Sequence, residues 1–456
     1  MLSFLAFGQL DQIGYDTTFI PQQLSSPHPC AIYVKSTVYD VIDQIFYNFV
    51  IHGRGTACWH VCHDKKNYVI KDSWTHVSCL SHEADILSKI WELKGVPQLI
   101  VAWTVQIGGS DDQTDVRHWS LSSSSDIQVH CRLLMQPVGL PLSDFKSIHE
   151  LLSVLIDILD TNMALFEKFH VLHHDISVNN TMIYVADIPE SEGSDDEVCS
   201  SESSNNGGSN NDGSHHSEAL SNEAVENQED KHVQWDIERW KQIWAGILHS
   251  GLLIDFDYMT NLDQTPSSVS GDCTGMIPFM STNILLNYKK GGTAHTTSND
   301  LESVVDILVW MCILYAGPGM LQKDKHVSNM VLKPWVTVAN NLDAVNLGAI
   351  KATLKSDPSI VTNKFTPFFK PLCPIVDKLL MQLGQFSATD HRLNYRALRN
   401  ILLEGFGMVE EVPNWSAAKD VYSYGLLQRV EKHKLPLYVT SARHESPRPS
   451  HQACHC

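Results

Sequence analysis

The sequence predicts an α+β fold of two lobes, a small mainly β lobe followed by a larger mainly α lobe. Three observations carry that expectation. Residues 1–134 hold short apolar and β-branched runs bounded by Gly, Asp, Asn or Pro, the pattern of strands. After Pro141 the apolar residues change to helical spacing. One acidic low-complexity stretch interrupts the helical part and leaves the strand-rich part intact. At 456 residues the chain is long enough to bury a sizeable core.

Taken in order, Ala31–Ser36 (AIYVKS), Asn67–Asp72 (NYVIKD) and Val129–Pro137 (VHCRLLMQP) read as strands. A helix is expected at His82–Ile90, with Ile86, Leu87 and Ile90 on one face. Residues 135–141 join the two halves. Leu151–Phe169 keeps helical spacing over about five turns. An insert at about 187–232 follows: thirteen acidic residues and no Lys or Arg lie between Asp187 and Asp230. Its Ser-, Asn- and Gly-rich core, Ser191–Asp230, has too little apolar content to offset chain entropy and is expected to be disordered. Helical pattern resumes at Trp235 and recurs at Leu301–Tyr315, Pro374–Leu383 and Tyr395–Leu403. Residues 142–405 thus form the helical part, and 406–456 a loosely ordered tail.

The formal charge of -19 argues against nucleic acid or an anionic membrane as a partner. Eleven cysteines show no repeated spacing; Cys58 with Cys62, and Cys454 with Cys456, lack a second ligand pair at zinc-site spacing. Free thiols in a reducing compartment, cytosol or nucleus, are expected. The N-terminal MLSFLAFGQLDQ has no basic flank and no small-residue cleavage site, so it reads as structure and not as a signal peptide. The longest apolar run, Val304–Ala316, carries Asp306 and reads as a buried helix rather than a membrane span.

Chemistry concentrates in three places. In His173-His174-Asp175-Ile176-Ser177-Val178-Asn179-Asn180, a carboxylate and an amide oxygen lie five apart in a loop between a long helix and an apolar strand. Phosphoryl transfer needs a carboxylate near the attacking hydroxyl and an oxygen ligand for a metal ion, and Asp175 and Asn180 supply them. A polar loop using Asp and Asn for its turns would look the same locally. Downstream, Gly251-Leu252-Leu253-Ile254-Asp255 is a buried-strand pattern ending in a carboxylate, placed to bind Mg²⁺ on the phosphates of ATP. Upstream, Lys71 ends the strand Asn67–Lys71, and Glu83 on the next helix is positioned to pair with it. The plainer reading of that pair is an edge-strand Lys and a solvated helix Glu. Gly53-Arg54-Gly55 offers a short glycine-rich loop for phosphates, though with two glycines only. Thr274–Ser281 (TGMIPFMS) reads as a platform beside an acceptor. Asp300 is expected to cap the following helix and to bond the catalytic loop's backbone.

These blocks, in the order GRGT, VIKDSW, GVPQLI, LLMQPVGLPLSDF, HHDIS, LLIDFD, GMIPFMS, DLES and YRALRNILL, resemble the protein-kinase superfamily, and more closely its fungal-type protein-kinase-like family. The resemblance runs from FLAFGQLDQIGYD near the start to about Leu403. It implies a protein-kinase-like fold and ATP and Mg²⁺ as cofactors. It also implies a protein substrate phosphorylated on Ser or Thr. Lys71 and Glu83 are similar to the family's ion pair, Asp175 to its catalytic base, and Asn180 and Asp255 to its metal ligands. Gly53, Gly55 and Met135 are similar to its nucleotide contacts, with Met135–Leu140 as the hinge. Four positions depart from the superfamily's pattern: His174 replaces an Arg, Ser177 a Lys, Asp257 a Gly and Asn283 a Glu, with Arg392 left as that Glu's usual partner. Two other readings stay open. A small-molecule kinase of the aminoglycoside or choline kinase type shares the His-x-Asp-x-x-x-x-Asn and Ile-Asp-x-Asp patterns. A pseudokinase would bind without turnover.

Overall fold

The computed structural model describes residues 16–21, 29–48, 54–114, 127–184, 222–263, 276–288, 293–322, 331–338, 341–387 and 389–410. In its N-terminal part the chain turns back on itself in short hairpins. The strands are β1 (Phe19–Pro21), β2 (Pro29–Val34), β3 (Thr37–Tyr47), β4 (Ala57–His63), β5 (Lys66–His76) and β6 (Gln98–Thr104). A two-residue hairpin, β7 (Gln106–Ile107) and β8 (Ser110–Asp111), precedes β9 (Gln128–Gln136). Seven of these form one antiparallel sheet in the order β1-β2-β3-β4-β5-β9-β6.

Strand alternation sorts two cores onto the two faces of that sheet. Ile70 and Leu134 point to one face, where they pack with Ile32, Val34, Trp59 and Val61. Leu133 and Met135 point to the other, where helix α1 (His82–Lys89) supplies Ile86 and Leu87, with Ile90 just after it. Lys71 shares this second face, and Asp72 the first. The neighbours therefore have opposite fates. Asp72 enters a buried network with Arg132 (2.6 Å), which also reaches Asp16 (2.6 Å) and Thr18 (2.7 Å). His130 lies between Asp72 (3.0 Å) and Asp112 (3.1 Å).

The remainder is mainly helical. Strand β10 (Gly139–Pro141) leads to α2 (Ile148–Phe169), whose N-cap Ser147 accepts from Glu150 N–H at 3.1 Å. Helix α2 is buried on nearly every face, as befits a central helix. It is followed by β11 (Val171–Leu172), β12 (Thr181–Tyr184), α3 (Asn222–Trp244), β13 (Ser250–Leu253) and β14 (Thr260–Asn261). Strands β10, β12 and β13 make one small sheet, and β11 with β14 another. Next come α4 (Thr282–Leu286) and α5 (Thr297–Leu314), which is also sealed from solvent. They are followed by α6 (Lys333–Val336), α7 (Asn341–Ser356), α8 (Ser359–Thr362), α9 (Cys373–Leu383) and α10 (His391–Met408). Ion pairs tie the outer helices to α2, Arg239 to Asp157 (2.7 Å) and Arg399 to Asp160 (2.9 Å), and Arg399 also joins α10 to α3 through Asp236 (2.8 Å).

The chain is thus a mixed α and β protein with a mainly β N-terminal part and helices later. Three boundaries move. Helix α3 starts at Asn222 and not at Trp235, so the insert expected to reach 232 is helical from Asn222 onward. Residues 222–234 hold three Glu and two Gln, which favour helix although little among them is apolar. Helix α10 runs past 405 to Met408. The cap of α5 is Thr296 in a capping box with Asn299; Asp300 lies one position beyond. The rest of the insert, the tail beyond Glu410, Gly53, Thr274, Gly275, Cys454 and Cys456 lie outside the described residues. Cys58 and Cys62 are free thiols. Among the described residues no helix is long and apolar enough to cross a membrane.

Candidate active site

Lys71 sits in the middle of the large sheet, opposite Cys58 of β4 and Leu133 of β9. It is 4% exposed, so its charge must be met inside the protein. Glu83 of α1 meets it with both carboxylate oxygens at 2.8 Å, and Asp255 with one at 2.7 Å. Asp257 lies 3.2 Å away. Burial works against the ammonium, but Asp255, Asp257 and Glu83 together hold it well above its ordinary range. Glu83 is pushed upward, by burial first and then by Asp257, and it also accepts Phe256 N–H at 3.2 Å. The plainer reading of an edge-strand Lys and a solvated Glu is therefore overturned.

Asp255 follows β13 with φ +67, a left-handed conformation that Asp tolerates better than most residues. His174, at φ +69, is the second such position in the site. Backbone strain of this kind persists where the surroundings enforce it. Ile254 N–H donates to the Asn180 carbonyl at 2.9 Å, which brings the Asp255 segment against the Asp175–Asn180 loop. Carboxylate atoms of Glu83, Asp255 and Asp257 lie within 4.8 Å of one another. Such hard oxygen donors suit Mg²⁺, and the residues present fit that ion.

The loop around Asp175 is fixed from several sides. Asn180 Nδ2 donates to the Asp175 carbonyl (2.8 Å) and to Oδ2 (3.1 Å), and Met276 N–H donates to Oδ1 (2.8 Å). His173 donates from Nε2 to the Ile254 carbonyl (3.1 Å), so its Nδ1 accepts Asp175 N–H (3.3 Å). Asp300 accepts the N–H groups of His173 and His174, each at 3.2 Å. This is the backbone contact expected of it. Burial, and then the Asp255 charge, push the Asp175 carboxyl up to about 8.

The four departures can also be placed. His174 stacks on His295 (4.0 Å between centroids), and His295 Nε2 lies 2.7 Å from Asp300. Burial and His295 bring the His174 imidazole down to about 3, so it is neutral. Ser177 is fully buried. Asp257 forms an ion pair with Arg54 at 2.5 Å. Asn283 is exposed, and Arg392 pairs with Glu167 instead of reaching its segment. Other residues anchor that segment. Glu302 accepts Thr282 N–H (2.9 Å) and pairs with Lys355 (2.9 Å). Lys351 binds the carbonyls of Pro278 (2.7 Å) and Met280 (2.8 Å) and the carboxylate of Asp306 (2.6 Å).

The structure thus brings together Lys71, Glu83, Asp255, Asp175 and Asn180. Met135 lies within β9, opposite Val69 and Leu99, and the link to β10 follows it. Gly55, with φ +51, precedes β4. Sequence reasoning missed Arg54 and His295 as members of the site, and Lys351 and Lys355 as its anchors. Arg54 alone had a local signal, a cation set between two glycines.

Residues 1–312 match the family model described as fungal protein kinase. No curated protein matches the chain.

Proposed function

Because the chain belongs to the fungal protein kinase family, we propose that it is a two-lobed, ATP- and Mg²⁺-dependent phosphotransferase acting on Ser or Thr hydroxyls of protein substrates. The observation that carries this reading is the contact of Lys71 with Glu83 and Asp255, beside the Asp175–Asn180 loop. In this reading residues 135–141 are the hinge, and Met135 and Gly55 border the nucleotide.

Lys71, oriented by Glu83, binds the phosphates of the nucleotide. Asp255 and Asn180 would hold Mg²⁺, which would offset charge on the phosphates. Asp175 orients the acceptor hydroxyl and takes its proton at a carboxylate oxygen. Its Oδ1 accepts Met276 N–H, so the segment leading to Ser281 is set beside it as the acceptor platform. Lys351 holds the carbonyls of that segment in place. The stacked His174 and His295, tied to Asp300, fix the loop from within, where an activating phosphate would otherwise be read by an Arg. The location proposed is cytosolic or nuclear.

The test is Asp255→Asn, which is nearly isosteric and removes only the charge. Mg²⁺-dependent ATP turnover should fall at least about 10²-fold, with the thermal unfolding transition retained. Undiminished turnover at ordinary Mg²⁺ would contradict the assignment.

A further inference from the structure

Arg54 has no part in the chemistry assigned so far. It precedes β4, and its carbonyl accepts Trp74 N–H at 2.6 Å. A Cβ on the next residue, Gly55, would come within 3.3 Å of Trp74, so the backbone turns tightly against the sheet. The guanidinium points inward: Nη1 lies 2.5 Å from Asp257 Oδ2, and the group stacks over Tyr258 at 4.6 Å. The Arg54 side chain is 22% exposed and that of Asp257 11%.

Three carboxyl groups, Glu83, Asp255 and Asp257, share the two cations Arg54 and Lys71. Lys71 is shared among all three carboxylates, whereas Arg54 serves Asp257. The catalytic loop adds no cation: His173 donates from one ring nitrogen and accepts Asp175 N–H at the other, burial pushes the His174 imidazole down, and Ser177 is uncharged. A polyphosphate arriving beside Lys71 needs a positive partner, and among the described residues of this cluster Arg54 is the cation available to it.

We propose that Arg54 is the polyphosphate-binding cation of this site, and that Asp257 is its resting partner. A nucleoside triphosphate takes the guanidinium from Asp257, and Asp257 is left to Lys71 and to an incoming divalent cation. The exchange is between like partners: one guanidinium nitrogen meets one Asp257 oxygen here, and guanidinium N–H groups bond phosphate oxygens as they do carboxylate oxygens. A cation near Asp255 and Asp257 also loosens the hold of Asp257 on Arg54. This inference rests on the phosphotransferase reading and extends it to a residue that departs from a plain glycine-rich loop.

The experiment is calorimetry on the full chain with ATP and adenosine, with Mg²⁺ and with a chelator. Arg54→Ala should weaken ATP about 10- to 100-fold and leave adenosine unchanged, with Arg54→Lys in between. Asp257→Asn frees Arg54 and should tighten metal-free ATP. That gain should vanish in the Arg54→Ala, Asp257→Asn double variant. Arg54→Ala binding ATP as tightly as wild type, or losing ATP and adenosine alike, would overturn the proposal. If Arg54→Ala does not fold, the Asp257→Asn arm decides: unchanged or weaker binding of metal-free ATP overturns it. A wild-type protein that binds neither ligand overturns the phosphotransferase reading and this inference with it; one that binds ATP independently of Arg54 overturns this inference alone.

Discussion

Asp175→Ala is expected to bind ATP with unchanged affinity and to turn it over about 10²–10⁴-fold more slowly, the usual cost of losing a positioned general base. That is about 3–5 kcal/mol of barrier. The affinity should hold because Lys71, Asn180 and Asp255 bind the nucleotide and its metal, whereas Asp175 faces the acceptor. A pH dependence follows from the same group. Burial and Asp255 place its carboxyl at about 8, and only the ionised form accepts a proton. In the wild type kcat/KM should therefore rise with pH through about 8, and the Asp175→Ala variant should lack that rise. Single-turnover rates beside calorimetric ATP affinity separate the two quantities. Equal rates in wild type and variant would remove Asp175 from the mechanism.

The largest stability effect is expected at Arg132, far from the chemistry. Its guanidinium is 0% exposed and joins Asp72, Asp16 and Thr18. Arg132→Met keeps much of the volume but leaves Asp72 buried with His130 alone. The loss should be about 3–5 kcal/mol, measured by denaturant unfolding. Acid should reach the same network. Burial opposes the Asp72 charge, but Arg132 and His130 bring its carboxyl down to about 2, from an ordinary 3.8. A folded value below the unfolded one contributes stability above the unfolded value. That contribution should drain away as pH falls from about 4 through 2. A variant within about 1 kcal/mol of wild type, with the same acid unfolding curve, would show that the network is incidental.

Both positions bear on what a sequence can say. Asp175 and Asn180 lie in a loop announced by the long helix before it and the apolar strand after it, and Asp255 follows an apolar strand. Lys71 and Glu83 are legible for the same reason: the strand and the next helix are close in the chain. Arg132 is different. It is a charge within an apolar strand, and only the pairing of β5 with β9 puts Asp72 opposite it. His295 against His174, and Lys351 against the Pro278 and Met280 carbonyls, likewise depend on how distant segments fold back. No local spacing marks such pairs. The start of α3 escapes a sequence reading for another reason: a polar, Glu-rich helix has little apolar periodicity to betray it.

The most direct measurement is transfer of the labelled γ-phosphate of ATP, with Mg²⁺, to a panel of proteins and to amino alcohols. Wild type is run beside Asp175→Ala. A phosphotransferase with Asp175 as its base and protein hydroxyls as its acceptors should place label on Ser or Thr in the wild type, with a loss of about 10²-fold or more in the variant. Label on the amino alcohols alone would contradict a protein substrate. No transfer to any acceptor, by a protein that binds ATP, would contradict the enzyme itself and leave a binding module.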